Sequence, residues 1–203
     1  RMVYVESVSN PLIRVPDLAG VAREAREHGL ISVIDNTFLS PMQFRPVPFG
    51  FDVVVHSATK FFGGHADAMG GFVVVNTPEL ARRVAFVQNA EGTALAPFDC
   101  WLFLRGIKTM VLRVERAQAN ARRLAAFLDA HTEWCTRVYY AGLPNAADGR
   151  GSAAGRRARR VRVGRPEHVP HDGVPRRPVA AAAASAAAAA VFDSRVSTFS
   201  FSS

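Results

Sequence analysis

The stretch Val-Val-Val-His-Ser-Ala-Thr-Lys at residues 53–60 indicates both a fold and a chemistry. Its three valines, with Phe51 shortly before them, predict a short buried strand, and the small hydroxyl residues that follow predict a loop. The stretch ends at Lys60, one of only two lysines among 25 basic residues; the other is Lys108. An arginine guanidinium stays charged and forms no imine, so a lysine kept in an arginine-rich chain suggests a reactive amine. The position alone leaves open an ordinary surface lysine.

Strand and helix patterns alternate along residues 2–143, on both sides of this stretch. We predict strands at residues 2–6, 30–34, 53–55, 71–75 and 138–140. Predicted helices start at Asp17 and end before Gly29, run from Thr77 to about Gln88, and cover residues 97–130 with an interruption near Gly106. This alternation is typical of an α/β fold whose parallel or mixed sheet is covered by helices on both faces.

Three reactive side chains lie at or just after predicted strand ends, namely Glu6, Asp35 and Lys60. In α/β folds the carboxyl ends of parallel strands meet at one edge of the sheet, and ligands bind there. We therefore expect these three residues to lie close together in a site. Arg105 and Lys108, which flank a glycine after an apolar helix, are interpreted instead as structural ion-pair partners.

Composition narrows the class of protein. A length of 203 residues with 49% hydrophobic residues suits one globular domain with a core. Cys100 and Cys135 lack CxxC spacing, which favours buried thiols in a reducing compartment. His56 and His65 with Asp67 supply too few suitably spaced ligands for zinc, so no metal site is predicted. No targeting segment is visible, and the alanine tract near the C-terminus is too weakly apolar for a membrane span. The expected location is cytoplasmic or plastid.

The net charge of +8 is concentrated in the C-terminal part of the chain. Residues 1–145 carry 15 basic and 13 acidic side chains, whereas residues 146–203 carry 10 basic and 4 acidic ones. Residues 145–203 show no hydrophobic period and are predicted to be a low-complexity Arg/Ala-rich tail, disordered or produced by a shifted reading frame. An alternative of another class is a non-catalytic chain whose basic tail binds polyanions. The lack of interleaved aromatic residues argues against nucleic acid as that partner.

Several ordered motifs along residues 2–144 resemble the cysteine/methionine-metabolism family of pyridoxal-phosphate (PLP) enzymes. One set is Glu-Ser-Val-Ser-Asn-Pro at residues 6–11, Val-Ile-Asp-Asn-Thr-Phe at residues 33–38 and His-Ser-Ala-Thr-Lys-Phe-Phe-Gly-Gly-His-Ala-Asp at residues 56–67. A second set is Gln-Asn-Ala-Glu-Gly at residues 88–92, Ala-Leu-Ala-Pro-Phe-Asp-Cys-Trp-Leu at residues 94–102 and Leu-Arg-Gly-Ile-Lys-Thr-Met at residues 104–110. Within the family, the chain looks most like the branch of plant-type cystathionine β-lyases.

The resemblance implies a fold and a role for several side chains. Residues 1–144 would form part of the large domain of a fold-type I PLP-dependent transferase, a mostly parallel sheet flanked by helices, and the start of the linker to a C-terminal domain. Lys60 would form an imine with PLP and remove the substrate Cα proton. Asp35 would keep the pyridine nitrogen protonated. Ser57 and Thr59 would donate hydrogen bonds to the cofactor phosphate.

On the substrate side, the resemblance implies that Asn10 lies near the cofactor's phenolic oxygen and the substrate carboxylate, with Glu6 supporting it. The implied reaction is β-elimination of cystathionine to homocysteine, pyruvate and ammonia. The γ-chemistry of cystathionine γ-synthase, cystathionine γ-lyase and methionine γ-lyase stays open. Full-length family members are homotetramers, and neither nucleic acid nor membrane is an expected partner. Several of the family's cofactor- and substrate-binding segments have no counterpart here, so we expect an incomplete fragment with little lyase activity by itself.

Overall fold

The structure, a computed structural model, describes residues 1–131, 133, 135 and 138–143. Four strands form one sheet: β1 (Met2–Glu6), β2 (Ile31–Asp35), β3 (Val53–Ser57) and β4 (Gly71–Val75), in the spatial order β1-β2-β3-β4. The first three strands run parallel, and β4 runs antiparallel to β3. The prediction of an α/β fold with a mostly parallel sheet is therefore confirmed.

The strand predicted at residues 138–140 is wrong, because these residues form no strand. Tyr140 is instead buried and packs with Ala125 of the last helix, while Val138 lies partly buried beside them. β-branched and aromatic residues favour strands only where they pack on a pleated surface, and here they pack against a helix.

The helices of the described region are α1 (Leu18–Glu27), α2 (Ser40–Gln43), α3 (Pro78–Glu91), α4 (Pro97–Ile107) and α5 (Met110–Ala130), with a short 3-10 helix at Val47–Phe49. Two N-caps agree with the sequence-based prediction. An Asp17 carboxylate oxygen accepts the Gly20 N–H at 3.0 Å at the start of α1. Thr77 Oγ1 accepts the Leu80 N–H at 3.2 Å at the start of α3. Each bond satisfies a backbone donor that the first helical turn would otherwise leave without a partner.

The main core lies between α1 and one face of the sheet. Leu18 and Ala22 of α1 pack in one cluster with Ile34 of β2 and Val54 of β3, each at most 2% exposed. Successive strand side chains point to opposite faces, so the alternate residues lie on the other face. There, side chains of the two outer strands are at least half exposed (Met2, Tyr4 and Val73). In the described part of the chain, helices therefore cover one face of the sheet more completely than the other. The sequence pattern predicts helices on both faces.

An aromatic row joins α4 to the β3–β4 end of the sheet. The ring centroids of His56 and Phe62 lie 5.2 Å apart, those of Phe62 and Phe72 lie 4.9 Å apart, and those of Phe72 and Phe103 lie 6.0 Å apart. Phe103 belongs to α4 and is only 1% exposed. This row packs beneath the loop that carries Lys60 and so helps to position it.

Candidate functional site

The site is built around Asp35, the last residue of β2 and a neighbour in register of Glu6 at the end of β1. One Asp35 carboxylate oxygen accepts the Thr37 N–H at 2.9 Å, and the other accepts the Tyr4 hydroxyl at 3.4 Å. Burial raises the pKa of Tyr4, and the nearby Asp35 charge raises it further. These contacts orient the carboxylate on the face of the sheet that helices cover less.

Thr37 connects Asp35 to the segment that leads to Lys60. Its hydroxyl oxygen accepts the Ser57 N–H at 2.7 Å. The ladder between β2 and β3 has ended by then, because the last such contact is the Asn36 N–H to the Val55 carbonyl at 2.9 Å. The threonine side chain therefore replaces a backbone partner where the two strands diverge, and it fixes the carboxylate relative to the end of β3.

Lys60 lies in a compact loop after β3. Its N–H donates to the Ser57 carbonyl at 3.3 Å, and its carbonyl accepts the Gly64 N–H at 2.8 Å. The lysine is exposed. The loop therefore fixes the backbone of this residue on both sides while the side chain remains accessible.

The two hydroxyl residues before Lys60 differ in their surroundings. The Ser57 hydroxyl makes no hydrogen bond with the described residues, so it can donate to a ligand. Thr59 Oγ1 accepts the Gly70 N–H at 3.1 Å and lies 3.4 Å from the Gly70 carbonyl. Thr59 thus ties the loop to the start of β4, and its proton must leave a long hydrogen bond in order to serve a phosphate.

Asn10 and Glu6 lie at the other side of Asp35. The Asn10 N–H donates to a Glu6 carboxylate oxygen at 3.4 Å, and a cis peptide bond joins Asn10 to Pro11. Both side chains are exposed. The strand order places Asp35 between this pair and the Lys60 loop. The structure thus brings all the sequence-predicted site residues to adjacent strand ends.

Tyr4 and Thr37 belong to the site, although sequence reasoning did not single them out. Tyr4 lies two residues before Glu6, so strand alternation places it on the same face as that carboxylate. Thr37 follows Asp35 by two residues, which is the spacing at which an aspartate accepts a backbone N–H in a turn. Both spacings are visible in the sequence, but neither shows which strand lies next to the residue in the sheet.

Two further expectations are corrected. Arg105 places its guanidinium carbon 5.7 Å from the centre of the Trp101 ring, and no ion pair of Arg105 or Lys108 is present among the described residues. Cys100 is exposed rather than buried. Neither result changes the site, since all three residues lie in or next to α4.

Buried His56 predicts an acid-sensitive fold. It is 4% exposed, and its Nδ1 has no hydrogen-bond partner among the described residues. Burial lowers its pKa below 6.5, although the Asp35 charge and the Asn36 backbone act in the opposite direction. The neutral form is therefore favoured on folding, and this stability is present above about pH 6.5 and is lost as the pH falls below it. Urea unfolding at several pH values is expected to show a falling midpoint on acidification.

The matched variants for that measurement are His56→Gln and His28→Gln. His56→Gln removes the titrating group, so its midpoint is expected to depend less on pH over this interval. His28 is exposed, so its replacement tests whether the pH dependence is specific to the buried ring. Equal pH profiles for wild type and His56→Gln would contradict the assignment to His56.

In residues 1–131, 133, 135 and 138–143, no group of three or more His, Cys, Asp or Glu side chains could hold a metal ion. His65 Nδ1 lies 2.7 Å from the Gly63 carbonyl, which fixes its ring within the loop. None of the helices in the same residues is long and apolar enough to cross a membrane.

Residues 1–153 match the family described as Cys/Met metabolism PLP-dependent enzyme, and the chain belongs to this family. It is 48% identical over 145 residues to chloroplastic cystathionine β-lyase of Arabidopsis thaliana, covering 71% of this chain and 31% of that protein. It is 43% identical over 145 residues to a probable cystathionine γ-synthase of Herpetosiphon aurantiacus, covering 71% of this chain and 45% of that protein. The chain thus spans less than half the length of these relatives.

Solved structures show the same family fold. Cystathionine γ-lyase from Lactobacillus plantarum, complexed with L-serine, has a TM-score of 0.70 and 42% identity, covering 73% of this chain and 39% of that one. Cystathionine γ-synthase from Xanthomonas oryzae pv. oryzae, in complex with cystathionine, has a TM-score of 0.67 and 40% identity, covering 73% of this chain and 38% of that one. The resemblance seen in the motifs, the fold and the PLP dependence of the family are confirmed. The division of the chain at residue 144 stays a prediction, because residues 144–203 lie outside the described part.

Proposed function

We propose that this chain is part of a PLP-dependent carbon–sulfur lyase that cleaves cystathionine by β-elimination. The observation that carries the proposal is the connection of Asp35, Thr37 and Ser57 to the Lys60 loop at adjacent strand ends. The identity of 48% to a cystathionine β-lyase supports the choice of reaction.

The donor set fits PLP. An accessible lysine suits an aldehyde, a carboxylate suits a protonated ring nitrogen, and hydroxyl groups suit a phosphate. Lys60 and Asp35 supply the first two, and Ser57 offers a hydroxyl that has no partner among the described residues. Bound PLP would supply an aldehyde that condenses with the substrate amine and a ring that accepts the electron pair left at Cα.

Lys60 would move the proton in both halves of the reaction. Its amine would accept the proton from the substrate Cα. As the Cβ–S bond breaks with its electron pair on sulfur, the Lys60 ammonium would donate that proton to the sulfur to give homocysteine. The three-carbon remainder would be released as an enamine and, with one water, would give pyruvate and ammonia. A flexible, exposed side chain on a fixed backbone suits a group that serves two atoms in turn.

Asp35 would hold the proton on the ring nitrogen, since a nearby carboxylate favours the charged form of a base. The Thr37 N–H and the Tyr4 hydroxyl keep this carboxylate in one orientation. Asn10, with its backbone bonded to Glu6, would bind the substrate carboxylate on the far side of Asp35. These roles are the ones that the family resemblance implies, and the positions and donor groups of the residues support them.

A γ-elimination or γ-replacement is the second candidate. The chain is 43% identical to a probable cystathionine γ-synthase and 42% identical to a cystathionine γ-lyase of known structure. Such chemistry would use the same lysine and aspartate but break the Cγ–S bond. The polyanion-binding alternative rests on the basic tail, which lies outside the described residues.

Assembly of several copies is part of the proposal. Large apolar side chains on the outer helices are widely exposed, including Phe86 at 74%, Leu112 at 69% and Phe98 at 68%. Exposed apolar area of this kind supports an interface with another chain. The family resemblance implies a homotetramer, and this stays a prediction for the whole protein.

Product analysis separates the two reactions. The chain is incubated with PLP and cystathionine, and thiols and keto acids are identified by mass spectrometry. Because little activity is expected of this chain by itself, the proposal predicts a low yield over a long incubation, with homocysteine and pyruvate in equal amounts. Cysteine with 2-oxobutyrate would assign γ-elimination instead. If neither pair of products forms and the substrate Cα hydrogen does not exchange in D2O, both proposed reactions are contradicted.

A further inference from the structure

The loop that carries Lys60 is fastened to the junction of α4 and α5 by one side chain, that of Arg113. Its Nη1 donates to the Phe61 carbonyl at 3.0 Å, and its Nη2 donates to the Gly106 carbonyl at 2.7 Å. Its Nε donates to Thr109 Oγ1 at 3.0 Å. The fork of the guanidinium thus bonds the residue directly after Lys60 and the end of α4 at the same time.

The glycines around this contact show how closely the three segments approach. Gly64 has a φ of +74°, and a Cβ added there would collide with the Arg113 guanidinium. A Cβ added at Gly106 would collide with the Gly63 carbonyl and lie 2.6 Å from the Phe62 carbonyl. The backbone of the loop therefore lies directly against the backbone of α4, with no room for a side chain between them. Arg113 adds a hydrogen bond to the Phe61 carbonyl at this contact.

The loop is anchored on its other side by different contacts. The Ser57 N–H is bonded to Thr37, and Thr59 is bonded to Gly70. Between these anchors and Gly64, the Phe61 carbonyl is held from outside the loop by Arg113. Loss of that bond would remove a hydrogen bond that holds the backbone next to Lys60 from outside the loop.

We propose that Arg113 is a positioning residue for Lys60, acting through the Phe61 carbonyl. The guanidinium does not touch the reacting atoms. It restricts the backbone from which the amine reaches the cofactor aldehyde, which lowers the entropy lost when the covalent bond forms. The role in catalysis rests on the proposed function, whereas restraint of the loop can be tested without the cofactor.

The variants are Arg113→Met, which keeps the apolar stem, and Arg113→Lys, whose ammonium cannot reach all three oxygens at once. Arg116→Met on the same helix is the matched control, because Arg116 is exposed. Urea unfolding of each apo chain reports any general loss of stability. Comparison between variants then uses only conditions under which all of them are folded.

The first readout is cleavage by a lysine-specific protease without PLP. Lys60 and Lys108 are the only lysines in the wild-type chain, and Arg113→Lys adds a third, so the initial rate of formation of the fragment ending at Lys60 reports opening of the loop in every variant. We expect its rate of formation to rise roughly tenfold in Arg113→Met, to rise less in Arg113→Lys and to be unchanged in Arg116→Met. A wild-type rate in Arg113→Met would overturn the proposal. If Arg113→Met does not fold, Arg113→Lys takes its place with the same criterion.

The second readout is the affinity for PLP, followed by its visible absorbance. A positioning role predicts roughly tenfold weaker binding in Arg113→Met, with partial recovery in Arg113→Lys and wild-type affinity in Arg116→Met. Wild-type affinity in a folded Arg113→Met chain would overturn the proposal even if the loop opens. A wild-type chain that binds no PLP would contradict the proposed function instead, and the protease result would still decide whether Arg113 restrains the loop.

Discussion

Replacing Lys60 with arginine is expected to abolish the visible absorbance of the PLP complex and all elimination of cystathionine by it. Arginine keeps the positive charge and much of the side-chain length, but its guanidinium neither forms an imine nor gives up a proton at ordinary pH. Loss of a positioned base alone lowers a rate by about 10² to 10⁴-fold. Loss of the covalent attachment adds to this, so the residual rate should be undetectable.

Lys108→Arg is the matched control for that prediction, because it changes the only other lysine. Lys108 follows α4 and lies outside the site, so its variant should keep wild-type absorbance and rate. Absorbance titration with PLP and product assays give both results. Wild-type absorbance in Lys60→Arg would show that the amine at this position does not hold the cofactor.

Replacing Gly106 with alanine is expected to lower the free energy of unfolding, because the added methyl group meets backbone atoms of the Lys60 loop. The new Cβ would lie 2.6 Å from the Phe62 carbonyl and collide with that of Gly63. Backbone atoms cannot move aside as a flexible side chain can, so α4 or the Lys60 loop must shift. Crowding of this kind costs about 1–3 kcal/mol, and the roughly 1 kcal/mol that alanine normally gains over glycine in a helix offsets only part of that range.

Gly92→Ala is a control that separates crowding from backbone strain. Gly92 has a φ of +68°, but a Cβ there meets nothing within 4 Å. Its replacement should lower the free energy of unfolding by about 1 kcal/mol and leave PLP binding unchanged. Urea unfolding and PLP titration of both variants test the comparison. A Gly106→Ala chain as stable as wild type would show that α4 and the loop are less tightly packed than described.

Much of this fold follows from local sequence patterns. The valine runs, the caps at Asp17 and Thr77 and the break near Gly106 all mark element boundaries, because each depends on neighbouring residues only. The strand predicted at residues 138–140 fails because a helix, not another strand, packs against Tyr140. A short run of β-branched and aromatic residues looks the same whether it pairs with a strand or packs against a helix, so the sequence alone cannot distinguish the two.

The site could be predicted only in part, for the same reason. Asp35 and Lys60 are visible as reactive groups at predicted strand ends. The bond from Ser57 to Thr37 and the contacts of Arg113 connect residues about 20 and 50 positions apart, and they depend on which elements lie side by side. The spatial order of the elements supplies the surrounding hydrogen bonds that orient the reactive groups, and no local sequence pattern encodes that order.

Reduction of the PLP complex with borohydride, followed by peptide mass spectrometry, locates the amine that holds the cofactor. Borohydride converts the bond between the cofactor and its lysine into a stable amine, so the attachment site can be located. The account predicts a phosphopyridoxyl group on Lys60, with Lys108 and the N-terminal amine unmodified. A label on Lys108 or the N-terminus in place of Lys60, or no label at saturating PLP, would contradict it.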